Sequence, residues 1–240
     1  MFRSVVRFIR RWLPGRDEVR NPGRFARQSV AMLRREYQGE PLEEQHVDPD
    51  PILQFESWFE EATRAVREDP NAMVVSTVGG DGRPSARTVL LKGYDEDGFI
   101  FYTNYESRKG KQIAENPHVA LTFHWPQLMR QICIEGLAEK TLPEVSDVYF
   151  HSRPVGSRIS AVASPQSRKV ASRQELEDRV RALQEQYQDP DDIPRPDHWG
   201  GYLVRPHRFD FWQGRVSRLH DRICYTRNER GQWTFQRLAP

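Results

Sequence analysis

Residues 72–103 read AMVVSTVGGDGRPSARTVLLKGYDEDGFIFYT, and this stretch decides the fold class. Met73–Val78, Ser85–Lys92 and Phe99–Thr103 are short runs dense in β-branched and aromatic side chains. Gly79-Gly80-Asp81-Gly82 and Asp95-Glu96-Asp97-Gly98 separate them. Such runs bounded by glycine and aspartate clusters are strands joined by tight turns, so the stretch predicts an antiparallel meander.

Further strands are expected at His118–Trp125, Arg130–Lys140, Gly201–Trp212, Arg222–Thr226 and Trp233–Arg237. Helices are inserted between them rather than alternating with them: Ser107–Glu115, which ends at Asn116-Pro117, then Pro143–Ser152 and Ser172–Gln188. Upstream, Pro22-Gly23 opens a helix reaching about Tyr37. Asp48-Pro49-Asp50-Pro51 opens another that carries Ile52, Phe55, Phe59, Ala62 and Val66 at helical spacing. This order predicts a mainly β fold with added helices, a closed or split β-barrel, and argues against a doubly wound parallel sheet. One domain is expected over 23–240, preceded by an N-terminal extension, 1–22.

With 36 Lys and Arg against 34 Asp and Glu, the net charge is +2, so no global field drives the chain onto nucleic acid or membrane. An anionic ligand must be caught by a local cluster. A hydrophobic fraction of 37% with 11% aromatics is enough for a folded core. No apolar run approaches a spanning helix. Met1–Leu13 sets Phe2, Val5, Val6, Ile9, Trp12 and Leu13 among Arg3, Arg7, Arg10 and Arg11, a basic amphipathic pattern read as a frayed terminus rather than a membrane contact. Cys133 and Cys224 lack the number and spacing of a metal knuckle or disulfide framework, and are expected to be buried thiols in a reducing cytoplasm.

No Gly-x-Gly-x-x-Gly follows a strand and no Walker-type loop is present, so side chains must hold any nucleotide phosphate. Three clusters suit anions. Arg87 and Lys92 flank Val89-Leu90-Leu91, Arg108 and Lys109 follow Ser107 at a helix start, and Gln166-Ser167-Arg168 occupy a loop. Arg87 and Lys92 have opposite parity, which requires the strand to end or bulge before Lys92, or the two to serve different parts of a site. The second cluster is Tyr149, Arg153 and Ser157, placed at successive helical turns although Pro154 and Gly156 interrupt them. In the third, Arg218, His220 and Arg222 alternate as if along one strand face, beside Phe211-Trp212.

Those clusters and their order resemble the pyridoxine (pyridoxamine) 5'-phosphate oxidase family. The resemblance runs from Leu33-Arg34-Arg35-Glu36-Tyr37 to Arg237-Leu238-Ala239-Pro240. It takes in Arg87–Lys92, Phe101-Tyr102-Thr103-Asn104 with Ser107-Arg108-Lys109, Tyr149–Pro154, Trp199-Gly200-Gly201, and Phe211–Gly214 through Arg218–Arg222. It implies an FMN-binding split-barrel homodimer that oxidises pyridoxine or pyridoxamine 5'-phosphate with oxygen to pyridoxal 5'-phosphate, releasing hydrogen peroxide, and ammonia from the amine.

By the same resemblance, FMN is expected to contact Arg87, Thr88, Val89, Leu90, Leu91 and Lys92, then Tyr102, Thr103, Arg108 and Lys109, and finally Gln131, Gln166, Ser167, Trp212 and Arg222. The substrate phosphate is expected at Lys92, Tyr149, Arg153 and Ser157. The substrate ring is expected against Arg218, Leu219 and His220, with Arg218 and His220 as the catalytic pair. Arg34 and Tyr37 match a segment that the family folds over its site. The sequence departs from the family at Ala163-Ser164-Pro165, and at Arg215-Val216-Ser217, where a glycine-richer stretch is expected. A barrel relative acting on another small ring, a flavin reductase, and a flavin or pyridoxal-phosphate carrier without turnover are the alternatives.

Overall fold

In the computed structural model, which describes residues 35–240, the opening stretch forms two hairpins. β1 (Ala72–Val78) pairs with β2 (Pro84–Leu90), and β3 (Gly93–Asp95) with β4 (Gly98–Asn104). They join β5 (His118–Trp125), β6 (Arg130–Lys140), β7 (Trp199–Gln213), β8 (Asp221–Arg227) and β9 (Trp233–Arg237). All nine lie in one antiparallel sheet of order β2-β1-β5-β6-β7-β4-β3, with β8 and β9 continuing from β7.

The ends of that order, β2 and β3, are separated in sequence only by Leu91 and Lys92. The sheet must therefore curl until its edges meet, which gives the expected barrel. Leu91 donates its N–H to the Asn71 carbonyl on the β1 side and Lys92 donates to Ile100 on β4, so the backbone changes partner strand at this link. Arg87 and Val89 are half-buried and Leu91 is in the core, whereas Thr88, Leu90 and Lys92 are exposed. The parity conflict is thus resolved: the strand ends at Leu90, and Arg87 and Lys92 face opposite ways.

Helix α1 (Pro51–Ala65) starts where Asp50 accepts from the Ile52 N–H, and it buries Ile52, Phe55, Trp58 and Ala62. Phe55 lies at 4.8 Å from Phe99 and 5.2 Å from Phe123, ring centre to centre, so this helix seals the barrel interior. α2 (Arg108–Glu115) is capped by the buried Ser107. The connection from β6 to β7 carries α3 (Pro143–Ser152), α4 (Val155–Ala163) and α5 (Arg173–Gln186), packed on a second core of Phe150, Ile159, Ile193 and Trp199. The register of β6 against β7 shifts between Glu135 and Gly136, where Pro206 is accommodated on β7.

Several expectations need correction. Tyr149, Arg153 and Ser157 do not share a helix: α3 stops at Ser152, Arg153 is extended at its C-cap, and α4 begins after Pro154, which caps rather than breaks it. Arg218 and His220 are not on a strand. Val216–Arg218 form a 3-10 turn in which Ser217 and Arg218 have φ of 54° and 64°, and β8 begins only at Asp221. Residues 35–37, the end of the first expected helix, are irregular; the rest of that helix, the extension 1–22 and Arg34 lie outside the described residues. Both cysteines are free, with Cys224 buried and Cys133 half-buried. Among the described residues no helix is long and apolar enough to cross a membrane.

Candidate active site

At the barrel seam, Arg87 is held from β1 and β2. Its guanidinium donates to the Val75 carbonyl (3.2 Å), Thr77 Oγ1 (2.7 Å) and Ser85 Oγ (2.6 Å). The Thr77 and Ser85 hydroxyls in turn donate to Gln112 Oε1 on α2, at 2.7 and 2.6 Å. One turn earlier on α2, the buried Lys109 donates from Nζ to Thr103 Oγ1 (2.9 Å) and to Gln166 Oε1 (2.7 Å). An ammonium has three donors, so one remains for a ligand.

The partners of both cations are neutral oxygens. Burial, and then Arg87, brings Lys109 down to about 8; burial, and then Arg108, lowers Arg87. Like charges gathered out of water without a carboxylate are costly unless an anion completes them. Arg108 and Ser167 line an adjoining open cleft of about 540 Å³ whose wall also carries Lys111, Gln112 and the carboxylates of Asp81, Glu106 and Glu115, with Arg168 paired to Glu106. Ser167 has φ of 69°, which turns the loop back so that Gln166 reaches Lys109.

On the opposite face of β4, Tyr102 stacks on Tyr149 of α3, with Trp199 of β7 parallel to both within 8–12°. Arg153 lies over the Trp199 ring at 4.7 Å, and its Nη1 is buried with no hydrogen-bond partner among the described residues. Burial lowers the Arg153 pKa while Tyr149 opposes that shift. Among the described residues no side chain caps α4, so its first turn, which carries Ser157, leaves an N-terminal end available to an anion.

The third group sits at the other end of β7. Gln131, Trp212 and Arg222 are direct cross-strand neighbours on β6, β7 and β8, in one half-buried row. Arg222 pairs with Asp210, and Gln131 donates to Cys133 Sγ at 3.5 Å. His220 packs 4.7 Å from Trp212, and Tyr37 meets both rings edge-on at 5.3 and 5.6 Å. Arg218 lies over Tyr37 at 5.7 Å, and Leu219 is exposed. Two successive left-handed residues without glycine, each costing about 1–3 kcal/mol, are strain of the kind concentrated at functional loops.

The structure thus gathers the expected residues into three groups. Arg87, Thr103, Arg108, Lys109, Gln166 and Ser167 form one, Tyr102, Tyr149 and Arg153 a second, and Tyr37, Gln131, Trp212, Arg218, His220 and Arg222 a third. Thr88, Leu90 and Lys92 lie on the outer face of the closing link. Leu91 is a core side chain whose N–H and carbonyl are both engaged by Asn71. Gln112 and Trp199 were not expected as site residues. The i, i+4 spacing of Arg108 and Gln112 on a short helix is the available signal for the first, and the aromatic beside Gly200-Gly201 for the second.

A nine-stranded antiparallel sheet curled on itself, with cations at its seam that have no carboxylate partner among the described residues and aromatic rows at both ends of β7, defines a split β-barrel with candidate anion sites. Residues 59–187 match the family model described as pyridoxamine 5'-phosphate oxidase, and residues 199–240 match that of the pyridoxine 5'-phosphate oxidase C-terminal dimerisation region. The chain belongs to the pyridoxine/pyridoxamine 5'-phosphate oxidase family, a flavin-binding family. It is 55% identical over 212 residues to the pyridoxine/pyridoxamine 5'-phosphate oxidase of Salinibacter ruber, covering 88% of this chain and 99% of that one. Its identity to the enzyme of the same name from Rubrobacter xylanophilus is 55% over 215 residues, covering 90% and 98%. Among solved structures it resembles PhzG from Burkholderia lata in complex with tetrahydrophenazine-1-carboxylic acid, with a TM-score of 0.78, 28% identity and coverage of 85% and 100%. An FMN-binding protein of Nostoc punctiforme shares the fold, with a TM-score of 0.64, 20% identity and coverage of 80% and 98%.

Proposed function

We propose that the chain is a homodimeric FMN-dependent oxidase that converts pyridoxine or pyridoxamine 5'-phosphate to pyridoxal 5'-phosphate, with oxygen as the acceptor and hydrogen peroxide as a product. The observation that carries this reading is the division of the site. Tyr102 is paired with Gly201, and Trp212 with Gln131 and Arg222, so the two ends lie eleven residue steps apart along β7. At strand rise that is on the order of 30 Å. No ligand of two fused or stacked rings spans that distance, but a two-fold partner brings the Trp212 end of one chain against the Tyr102 end of the other.

The residues present fit FMN. The half-buried Arg87 and the buried Lys109 have neutral partners and suit a terminal phosphate dianion, and the row of Gln131, Trp212 and Arg222 offers a flat surface with donors at its edge. When bound, FMN supplies the hydride acceptor and the route to oxygen. The chain's own work is to fix geometry. Tyr149, Arg153 and Ser157, with Lys92, hold the substrate phosphate, while Arg218 and His220 confine the ring.

The buried Nη1 of Arg153, which has no hydrogen-bond partner among the described residues, favours a phosphorylated substrate over a plain ring, because a substrate lacking phosphate leaves it unpaired. Free thiols fit a reducing, cytoplasmic setting. Formation of pyridoxal 5'-phosphate and peroxide by the purified FMN-loaded protein from pyridoxine 5'-phosphate is the expected result. Flavin binding with no turnover of either phosphate points instead to a carrier.

A further inference from the structure

Residues 37–42 lie along the loop from Gln213 to Asp221 in close register. The Gly39 N–H donates to the Gly214 carbonyl at 3.1 Å, and the Leu42 N–H donates to Asp221 Oδ2 at 3.1 Å. The fit needs both glycines: a Cβ on Gly39 meets Gln213 Nε2 at 2.1 Å, and one on Gly214 meets the Tyr37 ring at 2.6 Å. This apposition brings Tyr37 edge-on to Trp212 and His220.

Arg215 stands where the family resemblance leads one to expect a glycine-richer stretch, and it touches both sides of the apposition. Its side chain donates from Nη1 to the Gly39 carbonyl at 2.6 Å and pairs through Nε with Asp221 at 3.5 Å. Its backbone N–H donates to His220 Nδ1 at 3.0 Å. A backbone N–H can only donate, so Nδ1 must present its lone pair, and the neutral ring carries its proton on Nε2.

We propose that Arg215 is a positioning residue that couples seating of the Tyr37–Leu42 segment to the orientation of His220, which it holds as a neutral Nε2–H donor. His220 then gives a hydrogen bond to an oxygen of the bound ring and does not act as its base. This rests on the function proposed above, in which His220 faces the substrate ring. Burial, and then Arg218, lowers the His220 pKa against the opposing pull of Asp221, the direction that favours the neutral ring.

The test uses FMN-loaded protein labelled with 15N-histidine, with His220→Gln to assign the signal, together with Arg215→Ala and Arg215→Lys. In the wild type the His220 resonances are those of the Nε2–H form. In Arg215→Ala, amide exchange in the peptide spanning 37–42 accelerates, KM for pyridoxine 5'-phosphate rises about tenfold, and kcat stays within about twofold, as for loss of one charge-assisted hydrogen bond. FMN content is unchanged. Arg215→Lys restores most of the KM, because an ammonium also reaches a carbonyl. A wild-type signal from the Nδ1–H form, or unchanged exchange in 37–42 in Arg215→Ala, overturns the proposal. If the wild type fails to oxidise either phosphate, the functional reading falls, while the tautomer and exchange data still decide the role of Arg215.

Discussion

Tyr102 and Tyr149 lie face to face with 3.9 Å between ring centroids, 20° from parallel. One belongs to β4 and the other to α3, so this stack, continued by Trp199, fastens the helical insertion to the barrel and forms the wall on which Arg153 rests. Burial, followed by Tyr149 and then Tyr105, raises the Tyr102 phenol above its ordinary value, so it stays a neutral hydroxyl at physiological pH.

Two substitutions at Tyr149 separate stacking from hydrogen bonding. Tyr149→Phe keeps the ring and is expected to leave the melting temperature near wild type while raising KM for both phosphate substrates. Tyr149→Ala is expected to lose about 0.5–1.5 kcal/mol of aromatic pairing besides the buried area, and so to lower stability as well. Thermal melts and steady-state kinetics on the pair check this; equal KM values for the Tyr149→Phe variant and the wild-type enzyme would take the hydroxyl out of the phosphate site.

Arg153→Ala is expected to raise substrate KM by about 10–100-fold, the equivalent of roughly 1.5–3 kcal/mol for a hydrogen bond to a charged group, with FMN content unchanged. In the ligand-free protein the same change removes a buried Nη1 that has no hydrogen-bond partner among the described residues, which offsets the lost contact with Trp199, so stability should change little. Parallel loss of FMN and substrate binding contradicts the division between Arg153 and the Arg87–Lys109 cluster.

Lys109 gives a pH signature. Its pKa in the free protein is about 8, lowered by burial and then by Arg87. A phosphate dianion seated against it raises that pKa, so binding takes up a proton above pH 8 and none below. FMN affinity should be flat between about pH 7 and 8 and then weaken, approaching about tenfold per pH unit. Titration of flavin fluorescence across that range should show the fall in wild type and its loss in Lys109→Gln. An identical slope in the variant assigns the proton elsewhere.

Much of this was legible in the sequence, and the failures have specific causes. The hairpins of 72–103 and the run His118–Lys140 were readable because β-branched density and glycine-rich turns agree there. Period-2 parity flagged Arg87 and Lys92 as unable to share one face of a regular strand but left the reason open; the strand's end at Leu90 supplies it. α4 was hidden because Pro154 and Gly156 look like breakers, yet proline is well tolerated at a helix start. The loop holding Arg218 imitates an alternating strand, and its two left-handed residues lack the glycine that marks such a turn. Gln112 was missed because its role depends on hydroxyls from two other strands, a contact that only the barrel closure creates.

The last prediction concerns Arg218 and His220, which lie on a strained loop beside Trp212 rather than on a strand. A guanidinium plane laid against the substrate ring confines it and also reaches the reacting carbon's substituent, so its removal acts on turnover as well as on binding. Arg218→Ala should lower kcat/KM severely and His220→Ala less so, because a hydrogen-bond donor to the ring is easier to replace by water than a stacked cation; both variants should keep FMN. The same residue tests how the site is divided. Arg153 and Arg218 belong to groups at opposite ends of β7, so each site is expected to take them from different chains. Neither the Arg153→Ala nor the Arg218→Ala homodimer then has an intact site, whereas a hybrid dimer has one site with both defects and one with neither. Random subunit exchange between the two variants puts about half the protein into hybrids, so activity should return to about a quarter of wild type. If both residues came from one chain, every site in the hybrid would carry one defect and mixing would restore nothing. Activity before and after subunit exchange under mild denaturant, with FMN present throughout, distinguishes the two arrangements.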